Sequence, residues 1–376
     1  MSLASIDNLG EALRATHPEL DAVREAAGEK PVYLVGGAVR DLLLGRERAD
    51  VDLVVVGDAG ALAARLGADP VEHERFATAK FELDGHEVDI ATARTETYSE
   101  PGALPDVAPA GEIEADLGRR DFTINAMALP LSGEPRLIDP HGGREDLAAG
   151  LLRILHPGSF VDDPTRALRA ARYAARFDLA LESETEALLR TTDLETVSPD
   201  RRRAELLRLA AEPEAARGFE LLAKWGLVEL RDGALNLARR VIELSKEPPW
   251  HDLAPRNEAV LAATIGPIGP IGAEEELAAA NPQKPSLAVE LASRREPIEL
   301  VLARALGAEW LDRYLLEWRS VALEIDGEDL KAAGVPQGMA IGRGLKEALI
   351  RKLDGEISGR AQELEVALEA ARWAAE

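Results

Sequence analysis

The sequence has no cysteine, which excludes disulfides and thiolate metal sites. It has no run of eighteen apolar residues, so no membrane-spanning helix is expected. Residues 1–30 mix acids with apolar residues and lack a signal-peptide core, and the default expectation is a cytoplasmic protein. Basic residues are scarce: 44 Lys and Arg stand against 68 Asp and Glu, a net charge of −24. Such a balance argues against a nucleic-acid partner, whose binding surface is normally basic. The distribution argues the other way. From Thr165 to Phe177 the only charges are Arg166, Arg169, Arg172 and Arg176, and Arg201-Arg202-Arg203 follow. Acids are dense elsewhere, at Glu274-Glu275-Glu276 and from Glu363 to Glu376. A local basic track on an acidic body can still bind a phosphate backbone.

At 376 residues the chain is long enough for two or more domains. Residues 1–28 read as helical. Val32–Val35 and Val51–Val56 are short β-rich runs ending at glycine, and Lys80–Leu83 and Glu87–Ala91 read as strands around an Asp84-Gly85 turn. Thr95–Gly111 holds three prolines and two glycines and reads as a long loop, while 112–129 reads as helical. After about Leu147 the β signals fade. Arg166–Arg176, Glu182–Arg190 and Arg201–Ala211 are helix-like, Gly266–Gly272 is a boundary or loop, and the last hundred residues read as helices around a loop from Gly334 to Gly344. The outline is an α+β head followed by an all-α portion.

Asp50-Val51-Asp52 opens an apolar strand, and residues i and i+2 of a strand share a face. Two adjacent carboxylates repel unless a cation lies between them, the arrangement needed for metal-assisted phosphoryl transfer; oxygen-only ligands suit Mg²⁺. Asp89, in Val88-Asp89-Ile90, is the best third acid. By itself the pair reads rather as a solvent-facing strand start. Upstream, Val35 runs into Gly36-Gly37 and then an apparent helix bearing Arg40, which reads as a tight turn and as a phosphate cradle. Asp163-Pro164 is a capping pair before a helix; Asp163 with Arg166 could also imitate a base edge, and Arg166, Arg169 and Arg172 form one row on that helix.

The series Gly36-Gly37-Ala38-Val39-Arg40-Asp41, Asp50-Val51-Asp52, Arg119-Arg120-Asp121-Phe122-Thr123-Ile124-Asn125-Ala126 and Asp163-Pro164-Thr165-Arg166-Ala167-Leu168-Arg169 resembles the class II CCA-adding enzymes and bacterial poly(A) polymerases. The match covers Tyr33 to Phe177 firmly and the later helices loosely. The resemblance implies a polymerase-β-like nucleotidyltransferase head over residues 29–150 behind an N-terminal extension, 1–28. An all-α neck (151–212), body (213–305) and tail (306–376) would follow. It implies Asp50 and Asp52 as Mg²⁺ ligands, with Asp89 as the third catalytic acid. Gly36, Gly37, Arg40, Arg120, Asp121, Asn125, Asp163, Arg166, Arg169 and Arg172 would form the nucleotide site. The substrates would be ATP and CTP, and the partner the tRNA 3′ end. The family usually has Glu-Asp where this chain has Asp162-Asp163.

Ser198-Pro199-Asp200-Arg201 with Glu205-Leu206 resembles the neck continuation, and is equally an N-capped charged helix. Ile325–Leu330 with the glycines that follow resembles a tail element that could seat an RNA phosphate, or is a plain helix-loop-helix turn. CC-adding members typically lack the segment present here between Thr95 and Gly118, so adenine incorporation is expected: full CCA addition, or A addition to tRNA ending in CC beside a separate CC-adding enzyme. Poly(A) synthesis is the alternative, less favoured because Phe76–Ile90 lacks the usual poly(A) signature. A non-catalytic RNA- or nucleotide-binding protein on the same fold is the alternative from another class.

Overall fold

The computed structural model describes residues 3–4, 9–46, 51–67, 78–134, 136–266 and 272–372. It divides into two compact units, Met1–Val228 and Glu229–Glu376. The first runs past 212 through the helix Ala215–Lys224. Among the described residues no helix is long and apolar enough to cross a membrane.

The first unit opens with helices α1 (Leu9–Thr16) and α2 (Leu20–Ala27). Pro18 disfavours helical backbone in the residue before it, so the N-terminal helical stretch is two helices. The main sheet takes β1 (Val32–Val35), β2 (Val51–Val55), β3 (Thr78–Leu83), β4 (His86–Thr92) and, later in the chain, Ala128–Pro130. Its central strands bury Leu34, Val35, Leu53, Val54 and Val55, a near-continuous apolar run that suits strands covered on both faces. β2 and β4 are parallel, with Asp52 opposite Asp89; β1–β2 and β3–β4 are antiparallel. Helix α3 (Gly37–Leu43) follows β1 directly, and α4 (Ala59–Arg65) follows β2.

Two sequence expectations fail in this unit. Thr95–Gly111 is no open loop: β5 (Arg94–Thr97) and β6 (Asp106–Pro109) form an antiparallel hairpin, with Arg94 opposite Pro109 and Thr97 opposite Asp106. Pro101 and Pro105 sit in its tip and Pro109 at the end of the ladder, where prolines cost few backbone bonds. Residues 112–129 are only briefly helical. They hold α5 (Ile113–Gly118), a single 3₁₀ turn (Thr123–Asn125) and β7 (Ala128–Pro130), which pairs with β1. Phe122 to Leu129 is buried throughout, and an apolar run buried on all sides carries no period to separate helix from strand.

Beyond the sheet come α6 (Gly143–Ala149), β8 (Leu151–Leu152), α7 (Ser159–Asp162), α8 (Thr165–Phe177), β9 (Ala180–Leu181), α9 (Ser183–Leu189), α10 (Pro199–Ala210) and α11 (Ala215–Lys224). Helix α8 buries ten of its thirteen residues, and α10 and α11 pack against it.

The second unit is helical. Its longer elements are α12 (Ala234–Leu244), α13 (Arg256–Ile265), α14 (Ala273–Ala279), α15 (Pro285–Ala292) and α16 (Pro297–Leu306). The short α17 (Trp310–Arg313) and α18 (Gly327–Ala332) lead to α19 (Met339–Leu353) and α20 (Gly359–Arg372). Gly266 ends α13 and Gly272 precedes α14, and 267–271 lie outside the described residues. The expected loop from Gly334 to Gly344 ends early, because α19 starts at Met339. Gly344 lies inside α19 because α20 comes close: a Cβ there would stand 2.4 Å from the Ala367 carbonyl oxygen.

Candidate active site

The first unit encloses a cavity of about 720 Å³. Asp52 and Asp89 stand on one wall, Gly36, Gly37 and Arg40 on another, and Arg120, Asp121, Asn125, Arg169 and Arg172 complete it. Ten of the site residues expected from sequence thus share one cavity. Asp163 and Arg166 are not among its walls, and Asp50 lies outside the described residues.

The carboxylate wall follows from strand register. Residues paired across neighbouring strands point to the same face of a sheet, so Asp89, opposite Asp52 on the parallel partner, presents its carboxyl on the same side. Lys80 on β3 is opposite Asp89, and its ammonium lies 2.7 Å from an Asp89 oxygen. That hydrogen bond holds the lysine above its ordinary range against the opposing effect of burial, helped by the charges of Asp89, Glu87 and Asp52. The donor chemistry of Asp52 and Asp89 fits a hard divalent cation, since both offer oxygen alone. Among the described residues no group of three or more candidate ligands stands together, so the described part of the site supplies two.

The opposite wall is a chain of charge-assisted hydrogen bonds through three separated sequence segments. Arg40, on the first turn of α3, is buried; its Nη1 donates to Asn125 Oδ1 at 2.5 Å and its Nε to Asp41 at 2.9 Å. Its guanidinium lies 4.1 Å from the centre of the Phe177 ring. Asn125 donates in turn to Asp121 Oδ1 at 3.0 Å. The same oxygen accepts the Phe122 N–H at 2.9 Å, while Oδ2 takes Arg169 Nε at 2.8 Å and Nη2 at 2.5 Å. Burial alone would raise the Asp121 carboxyl, but Arg169 and these hydrogen bonds hold it down at about 2. Arg169 is correspondingly held further above its already high range by Asp121.

Arg120 is fixed differently. Its Nη2 donates to Asp116 at 3.0 Å and its Nη1 to the Asn125 carbonyl at 3.4 Å. Gly36 has a φ of 66°, and a Cβ there would lie 2.6 Å from Arg120 Nη1. Glycine is therefore required both by the backbone angle and by the arginine packed over it.

Sequence reasoning missed the acids that organise the arginines. Asp116, on α5, is fully buried and accepts from Arg119, Arg120 and the Arg94 backbone. Burial would raise its carboxyl, yet Arg120 and Arg119 keep it below the ordinary range. Glu96 takes Arg94, Arg119 and the Tyr98 hydroxyl, and burial followed by Glu96 pushes that phenol up to about 12. The row on α8 has no acid within its own helix, but Glu205 lies 3.8 Å from Arg169, and Glu212 lies 3.8 Å from Arg172 and 3.6 Å from Arg176. Arg94, Arg119 and Arg176 also line the cavity, so seven arginines face it. Only Asp116's position one turn before the Arg119-Arg120 pair could have pointed to its role.

Asp163 caps α8 as its position suggested. Its Oδ1 accepts the Thr165 N–H at 3.1 Å and the Thr165 hydroxyl at 2.7 Å. Arg166 is buried, donates from Nη2 to the Arg119 carbonyl at 2.8 Å, and leaves Nη1 without a partner among the described residues.

The model of the poly A polymerase head domain matches residues 32–153. An A-adding tRNA nucleotidyltransferase of Geobacter sulfurreducens is 31% identical over 90% of this chain, which spans 45% of that relative's length. A CC-adding tRNA nucleotidyltransferase of Deinococcus radiodurans is 35% identical over 91% of this chain and 90% of its own. The structure of a CCA-adding enzyme in complex with ATP superposes with a TM-score of 0.78 at 28% identity, covering 98% of this chain and 99% of the other.

Proposed function

Because the chain belongs to the class II tRNA nucleotidyltransferase family, in which A-adding, CC-adding and CCA-adding relatives occur, we propose that it adds C, A or both to the 3′ end of tRNA from CTP and ATP. The observation that carries this reading is the cavity in which Asp52 and Asp89 face a wall of arginines. One side suits a cation and the other a triphosphate, and a nucleotide triphosphate needs both. On this reading residues 29–150 are the head, 151–212 the neck, 213–305 the body and 306–376 the tail.

In the proposed reaction the 3′-hydroxyl oxygen of the RNA attacks the α-phosphorus of the nucleotide, and pyrophosphate leaves with the electron pair of the broken bond. Nothing is bound covalently to the protein, so its work is positioning and charge stabilisation. Asp50, Asp52 and Asp89 would hold Mg²⁺, which when bound draws charge from the triphosphate and acidifies the attacking hydroxyl. Arg120 and the cavity-lining arginines of α8, Arg169, Arg172 and Arg176, bind phosphate oxygens. Gly36 and Gly37 keep the wall low enough for the nucleotide to approach, and the Arg40–Asn125–Asp121 chain holds that wall rigid. Asp163 and Arg166 select the base: cytosine and adenine both present an amino donor beside a ring-nitrogen acceptor, the complement of a carboxylate beside a guanidinium. Uracil and guanine present the reverse order.

The test is incorporation of labelled CTP or ATP with Mg²⁺ on tRNAs ending before CCA, after C and after CC. Addition of C, C and A to the shortest acceptor supports a complete CCA-adding enzyme. A alone on the CC-ended tRNA supports an A-adding enzyme with a separate CC-adding partner. C-only addition is the second reading, favoured by the CC-adding relative matched along 90% of its length. Asp52→Ala abolishes incorporation and leaves tRNA binding nearly intact; a variant that still elongates RNA refutes the metal assignment.

A further inference from the structure

The two oxygens of Asp163 are not equivalent. Oδ1 accepts three hydrogen bonds: the Thr165 N–H, the Thr165 hydroxyl and, at 3.0 Å, Arg201 Nη2. Oδ2 accepts none among the described residues. Arg201 is itself fixed at both ends. Its backbone N–H donates to Ser198 Oγ, the N-cap of α10, at 3.4 Å, and its Nη1 donates to the Gly102 carbonyl at 2.6 Å in the tip of the β5–β6 hairpin. The tip has little freedom against the 3₁₀ turn Leu194–Thr196 that precedes α10: Gly102 has a φ of 73°, and a Cβ there would stand 2.6 Å from the Thr196 carbonyl oxygen.

We propose that Arg201 is a positioning residue for base selection, acting through Asp163. The inference rests on the functional reading above. By occupying Oδ1, Arg201 turns the carboxylate so that only Oδ2 is left to accept the exocyclic amine of the incoming base, three residues before Arg166, whose Nη1 has no partner among the described residues. An aspartate carboxylate turns easily about its last bond, where rotamer wells are broad. Thr165 offers two neutral donors to one oxygen, a weaker restraint than a charged guanidinium fork. Without Arg201 the carboxylate rocks, Oδ2 no longer stays in line with the base, and a wrong base loses its penalty. The phosphate and carboxylate walls are untouched, so the chemical step keeps its rate. Lysine has one ammonium where arginine has a fork; it can reach Asp163 or Gly102, not both.

The experiment measures kcat and KM for ATP, CTP, UTP and GTP separately on a tRNA acceptor, with the wild-type chain, Arg201→Ala and Arg201→Lys, after circular dichroism shows each is folded. Arg201→Ala is expected to lower the preference for the correct base over UTP and GTP by about tenfold, within the range of a paired base contact, through KM with kcat nearly unchanged. Arg201→Lys restores part of it, and carries the test should Arg201→Ala not fold. A preference unchanged in either folded variant, or a fall in kcat equal for all four nucleotides, overturns the inference while leaving the functional reading intact. A wild-type chain that adds no nucleotide overturns that reading, and this inference with it.

Discussion

Asp121→Asn tests whether the chain of hydrogen bonds behind the cavity is held by charge or by shape. The carboxylate serves donors on both oxygens, the Phe122 N–H and Asn125 amide on one and Arg169 on the other. An asparagine has one oxygen and one NH₂. Whichever way it turns, its NH₂ faces either Arg169 or the other two donors, and a buried donor is left unpaired. The charge itself has a size. A carboxyl moved from 3.8 to about 2 favours its ionised form by ~2 kcal/mol in the fold. The variant is expected to lose about 2–3 kcal/mol by urea denaturation followed by circular dichroism. The folded pKa is depressed, so the wild-type advantage is fully present above about pH 4, near the unfolded pKa, and fades as pH falls through about 2. A loss under ~0.5 kcal/mol at pH 7, or an advantage unchanged at pH 2, refutes the argument that this carboxylate holds Arg169 as an ion.

Gly36→Ala places a Cβ at a positive φ and against Arg120, and is expected to cost about 1 kcal/mol or more in stability and to raise KM for the nucleotide by displacing that arginine; thermal unfolding and steady-state kinetics check it. Arg166→Ala should relax discrimination between bases more than it slows addition, since in the proposed function Arg166 reads the base together with Asp163; unchanged selectivity in the four-nucleotide assay counts against that role. In the second unit Gly344→Ala pushes α19 from α20, because the added methyl meets the Ala367 carbonyl at 2.4 Å and a Leu330 methyl at 3.0 Å. The expected loss of about 1–3 kcal/mol should appear in thermal unfolding, and a neutral result would mean the two helices separate freely.

The sequence alone was enough for the first four strands, for the helical portion after the head and for the four motifs, because those signals are local. Apolar runs ending in glycine, i and i+2 acids on a strand, and a helix whose only charges are arginines can each be read without a fold. Their assembly is not local. Asp52 meets Asp89 only through the register of a parallel strand pair, and Arg40 reaches Asn125 across 85 residues. Glu205 and Glu212 carry no sign in sequence that they neutralise the arginines around the cavity, and Asp116 carries only its place one turn before Arg119-Arg120. That is settled by which helices pack on α8 and by the desolvation that makes an unpaired arginine costly there. The hairpin at Arg94–Pro109 and the strand Ala128–Pro130 were equally hidden. A strand's stability comes from the partner that accepts its hydrogen bonds, and only the tertiary structure supplies that partner.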